Sequence, residues 1–116
     1  MRADGAGPDG DRAALEAEWL DLTRHRLPLM AATRDWPIRA DHCFQRVLLD
    51  VATGGVWYDA VTGRPAYTFI ATALLERAVD LGHAALSGRE DVAALNRRSL
   101  AWRYERKRRS GTPTLP

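Results

Sequence analysis

Apolar residues recur at helical spacing in four stretches of the chain, and each stretch is bounded by a stop signal. Leu15, Trp19, Leu22 and then Leu29 form the first stripe, with Asp11 as candidate N-cap for a helix beginning at Arg12. Pro28 interrupts that stripe. Its ring collides with the preceding turn, so a kink or break is expected near Leu27. Trp36-Pro37 imposes an extended step before a second helix, with Asp41 as candidate cap and Phe44, Val47, Leu48 and Val51 as its buried face. Gly54-Gly55 stops it. A third helix is expected from about Ala71 to Ser87. Leu74, Ala78, Leu81 and Ala85 share one face, flanked by Leu75, Val79, Gly82 and Leu86. So wide a stripe belongs to a helix covered on two sides. Gly88 ends it, and Glu90 and Asp91 sit at the end of a fourth helix where acids are favourable. Val92, Leu95 and Trp102 form its inner face, and it is expected to fade in an arginine run.

The least helical stretch, Val56 to Tyr67, holds Trp57, Tyr58, Gly63 and Pro65. A hairpin and an ordered loop both fit. The loop is preferred because no second strand is available to pair. The expected architecture is all-α: a compact array of about four helices with one structured aromatic loop. Residues 1–10 read as a disordered tail, 11–105 as a single helical domain, and 106–116 as a basic and then flexible tail.

Composition narrows the class. The chain has 116 residues, 46% hydrophobic and 28% charged, which suits one modest core and not two. A single Cys excludes an internal disulfide. His25, His42 and His83 are far apart, with no HxxxH or CxxC spacing, so no metal site is expected. No apolar run approaches the ~20 residues of a membrane span. The first eleven residues lack the apolar core of a secretory signal, so a cytoplasmic location without membrane contact is expected. Walker and Rossmann phosphate loops are missing, and no cofactor is expected. Arg2 to Gly7 formally matches an R-x-x-G-x-G loop, but it has no strand before it and Pro8 directly after it, and it reads as chance.

Net charge is +2, unevenly spread. Residues 97–109 carry seven basic side chains and Glu105, so this segment is +6 while the rest of the chain is −4. Such an asymmetry can mark a nucleic-acid contact, here through Arg106, Lys107, Arg108 and Arg109. A plainer reading is that basic residues complement the C-terminal end of a helix.

Two polar rows attract attention. Asp41, His42, Cys43, Arg46 and Asp50 lie along the second helix, with His42, Arg46 and Asp50 one turn apart in succession. His42 beside Asp41 is suited to acid–base work, and Cys43 to nucleophilic attack if its thiolate were stabilised. The alternatives are a capping Asp41, a buried apolar Cys43 and a surface Arg46–Asp50 ion pair. Asn96, Ser99 and Arg103 share one face of the fourth helix beside Leu95 and Trp102. Asn and Ser are poor helix formers, so their place next to a buried stripe calls for a partner, unless the face is simply solvated. Trp36, Trp57, Tyr58 and Tyr67 can line a pocket or cap the core.

Trp36-Pro37, Arg39, Asp41-His42-Cys43-Phe44 and Arg46 form a W-P-x-R-x-D-H-C-F-x-R motif. With Leu49-Asp50, Trp57, Arg64-Pro65-Ala66-Tyr67 and Leu95 to Leu100, it resembles a small family of uncharacterised bacterial and fungal proteins often labelled acetyltransferase-like. The resemblance covers roughly residues 15 to 104 and implies that these polar residues belong to one site.

The expected function is a small-molecule site, binding or catalytic, for an anionic ligand. His42, Asp41 and Cys43 would be its catalytic candidates, and Arg46, Asp50, Trp57, Tyr67, Asn96, Ser99 and Arg103 would hold the ligand. The two alternatives are a nucleic-acid-associated module using the basic C-terminal helix and a partner-binding adaptor using the aromatic loop.

Overall fold

The computed structural model describes residues 8–111. They form helix α1 (Pro8–Asp21), a π-helical segment (Leu22–Arg26), α2 (Leu27–Ala31), α3 (Asp41–Thr53), a 3-10 turn (Trp57–Asp59), α4 (Ala66–Phe69), α5 (Thr72–Ser87) and α6 (Val92–Gly111). Among the described residues there is no strand, and the fold is all-α.

Helix α1 begins at Pro8, ahead of the expected Asp11 cap. Proline suits a first helical turn because its missing N–H has no partner there anyway. Residues 8–10 of the expected N-terminal tail are thus helical, and residues 1–7 lie outside the described part. The break expected at Pro28 takes a different form. The chain stays helical through Ala31, but the Leu27 N–H reaches back five residues to the Leu22 carbonyl. Pro28 offers no N–H to the carbonyl of Arg24, and widening the preceding turn to a π-helix removes the clash without ending the helix. The Thr23 hydroxyl, wholly buried, donates to the Trp19 carbonyl at 2.9 Å and satisfies an acceptor in this irregular stretch.

Helix α5 is central, packing on both α1 and α3 through Leu75, Ala78, Val79, Gly82 and Ala85. A Cβ at Gly82 would sit 3.1 Å from Leu22 Cδ1, so the missing side chain is what lets the π segment approach α5 this closely. The core is completed by Trp19, Leu22, Leu27, Phe44, Leu48, Ile70 and Leu95, all at most 2% exposed. Trp36 packs edge-on against Phe44 at 5.8 Å and closes one end.

Two glycines in the left-handed region turn the chain, Gly54 with φ 77° and Gly88 with φ 83°. At the first, the Gly54 and Gly55 N–H groups both bond the Asp50 carbonyl, folding the chain back over the end of α3. The stretch from Val56 to Tyr67 is then an ordered loop with one 3-10 turn, as expected over a hairpin. Helix α6 opens with the Asp91 carboxylate accepting the Ala93 N–H at 3.0 Å and packs on α3. It does not fade in the arginine run. Arg and Lys are good helix formers, and Arg106 is gripped by both oxygens of Asp59 at 3.0 and 2.9 Å. Residues 106–111 are therefore helical, which corrects the expected flexible tail for that part; residues 112–116 lie outside the described part.

Candidate functional site

The two polar rows meet where α6 crosses α3, and Asp50 is the centre of their junction. It is 0% exposed, as is Ser99. A buried carboxylate must have its acceptor capacity filled, and four donors fill it here. Ser99 Oγ donates to Oδ2 at 2.6 Å, and Arg103 Nε donates to the same oxygen at 2.7 Å. Arg103 Nη2 and the Trp57 backbone N–H donate to Oδ1 at 3.1 and 3.0 Å. The carboxylate thus ties together α3, α6 and the start of the aromatic loop. Its hydrogen bonds hold the Arg103 guanidinium proton more firmly than usual, raising that pKa above its ordinary value.

Arg46 occupies a different position from the one its spacing suggests. It makes no ion pair with Asp50. Its Nη1 donates to Ser99 Oγ at 2.7 Å and its Nη2 to Asn96 Oδ1 at 2.8 Å. Both acceptors are neutral. Ser99 stands between the carboxylate and this cation, donating to the carboxylate and accepting from the cation. The alternative of a surface Arg46–Asp50 pair is therefore corrected, because the carboxylate is fully buried and committed elsewhere. The Asn96–Ser99–Arg103 face is likewise no solvated face.

Arg46 and Arg103 form one wall of a cleft of about 420 Å³. Arg24, Arg64 and His42 add further basic groups, and Trp19, Trp57, Tyr58 and Tyr67 supply aromatic surface. The lining contains no carboxylate, thiol, lysine, or serine or threonine hydroxyl. Arg64 lies 5.1 Å from the Trp57 ring centre and 5.9 Å from that of Tyr58. Arg103 and Arg106 also approach Tyr58, at 5.4 and 4.8 Å, so three guanidiniums surround one phenol ring. The far side of the cleft is positioned by Arg12, whose Nη2 donates to the Tyr67 carbonyl and Nη1 to Thr72 Oγ1, both at 2.8 Å. Gln45 is fixed by donation to Thr23 Oγ1 at 3.0 Å.

The proposed catalytic trio is not gathered in this network. His42 reaches the cleft rim with its side chain 80% exposed, and its nearest carboxylate oxygen, on Asp41, is 3.6 Å away. Asp41 is the first residue of α3 rather than its cap, half exposed, and accepts the His42 N–H at 2.7 Å. Cys43 turns about 100° away along the helix and packs against the core, the apolar alternative weighed above. Trp57 and Tyr67 do line the cleft, whereas Trp36 packs on Phe44. Trp36, Trp57 and Tyr67 are half-buried against the core, while Tyr58 is exposed. Of the basic end of α6, Arg106 is held by Asp59, while Lys107, Arg108 and Arg109 are exposed. Arg24 was not foreseen, and Arg64 entered only through the family resemblance, without a role. They come from a segment whose local pattern shows only a solvated helix face and from a loop.

The Asp59–Arg106 pair gives a pH signature. Hydrogen bonding to Arg106 lowers the Asp59 pKa below 3.8. Its contribution is therefore complete above that ordinary value and is lost as pH falls through the lowered one. The pair is solvent-exposed, so the effect is small. Asp59→Asn should lower the melting temperature slightly at pH 7, and the difference should close below pH ~3.8. Parallel melting curves across that range check it.

Among the described residues, no three His, Cys, Asp or Glu side chains cluster as a metal site would require, and no helix is long and apolar enough to cross a membrane. No protein-family model, no curated protein and no solved structure matches this chain, and none bears on the motif-based resemblance, so the reading of the cleft rests on its own chemistry.

Proposed function

We propose that the cleft between α3, α6 and the aromatic loop binds a small anionic molecule. The observation that carries this reading is Arg46. Its guanidinium is half-buried, borders the cleft, and bonds only to the neutral oxygens of Ser99 and Asn96. A partly desolvated cation without a counter-ion is costly, and an anion in the cleft offsets that cost through charge-assisted hydrogen bonds. Arg24 and Arg64 line the same space, and neither has a carboxylate within 4.0 Å among the described residues. The lining offers no nucleophile beyond His42 and tyrosine, which favours binding over turnover.

Calorimetric titration of the full chain with inorganic phosphate tests this. The expected result is saturable binding of one ion per chain, weakened as sodium chloride screens the site. Absence of saturable binding in the millimolar range would overturn the reading.

A further inference from the structure

We infer that the occupant of this cleft is a phosphate monoester carrying a planar ring, on the scale of a mononucleotide; the inference rests on the anion-binding reading above. Three observations converge on that class.

The first is charge. Asp50 compensates Arg103 alone: it is wholly buried, and its oxygens accept from Ser99, Arg103 and the Trp57 N–H. Arg24, Arg46 and Arg64 are left without a carboxylate partner among the described residues, in a lining that holds no acid at all. One half-buried guanidinium, Arg46, with the exposed Arg24 and Arg64 bordering the same space, suits a dianion better than a single carboxylate. Their planar forks also match phosphate oxygens.

The second is surface. Trp57 and Tyr58 meet edge-to-face at 5.4 Å with their planes at 84°, and Tyr67 and Trp19 continue the aromatic wall. Arg64 lies over both Trp57 and Tyr58, adding a guanidinium plane to the same wall. A cleft that sets cations beside aromatic faces is built for a ligand that is charged at one end and flat at the other.

The third is size. A volume of about 420 Å³ lies near the lower end of small-molecule pockets, roughly 300–1,000 Å³. It accommodates one ring, a sugar-sized linker and one phosphate.

The test is calorimetric titration of the full chain with AMP, UMP, ribose 5-phosphate, inorganic phosphate, succinate and adenosine. AMP or UMP should bind about 10-fold or more tighter than ribose 5-phosphate, since one stacked ring contributes on that order, and should quench tryptophan fluorescence. Adenosine alone should not bind measurably. Trp57→Ala should bring the nucleotides down to the level of ribose 5-phosphate, so that the ratio of the two affinities, rather than either alone, reads the loss of the ring. Tyr58→Ala, at a partly exposed position, should do the same in part and guards against a Trp57 variant that fails to fold. Equal affinity for nucleotides and ribose 5-phosphate overturns the planar ring and leaves the anion site standing. Succinate binding as well as the phosphates overturns the phosphate. Binding of none of them overturns both this inference and the reading beneath it.

Discussion

Asp50→Asn should cost about 3 kcal/mol of folding stability, and the melting temperature should fall by roughly 10–20 °C. The change is nearly isosteric, so the loss measures hydrogen bonding and charge rather than volume. The carboxylate accepts from Ser99, twice from Arg103, and from the Trp57 N–H. An amide offers one acceptor oxygen, and its NH₂ group would face donors. At least one buried donor is then orphaned, and the Arg103 guanidinium loses its counter-ion, each a costly event away from water. The Trp57 anchor is weakened too, so the loop should exchange its amide protons faster than α5 does. Thermal unfolding gives the first effect and hydrogen exchange the second. A wild-type melting temperature would show that the junction is not what holds α6 on α3.

The second large effect is expected at Trp19. Its side chain is 1% exposed in the core, and it also borders the cleft. Trp19→Ala should destabilise by about 3–5 kcal/mol, through lost burial and the cavity left behind. The backbone carbonyl of Trp19 still accepts the Thr23 hydroxyl at 2.9 Å, so the π segment keeps that bond in the variant. The damage is therefore one of packing, and Trp19→Phe should recover a large part of it. Chemical denaturation of the two variants and the wild type checks this. Equal losses in the Ala and Phe variants would place the energy in the indole's polar edge instead.

The hydrophobic pattern revealed more of the fold than of the site. Helix α5 was legible because its two-sided stripe is a local property of consecutive turns, and Gly54 and Gly88 stop helices for reasons contained in their own backbones. Pro28 was legible as a disturbance but not as a π-helical one, since whether a chain breaks or widens depends on tertiary packing around Leu22 and Thr23. The arginine run was misread because its helicity is secured by Asp59, a residue of the distant loop.

In the site, Asn96 and Ser99 stood out as polar residues beside a buried stripe, and both prove to be partners of Arg46. Helical spacing correctly put His42 on the same face as Arg46. Spacing does not show how far a neighbouring helix covers that face, and His42 is left largely in solvent. Arg24 was invisible, and Arg64 was named only through the family resemblance, for a related reason: a cleft is assembled from segments far apart in sequence, and nothing local distinguishes a cation facing a cavity from one facing water.

The decisive measurement is the phosphate affinity of Arg46→Met, taken beside its melting temperature. The residue has no carboxylate partner to orphan. Asn96 is half-exposed and can bond water, so folding should change by no more than a few degrees. Loss of a charge-assisted contact to the anion should weaken phosphate binding by about 10-fold or more. Undiminished phosphate affinity in a folded Arg46→Met chain would contradict the assignment of this cation, and with it the anion site built around the Asp50 junction.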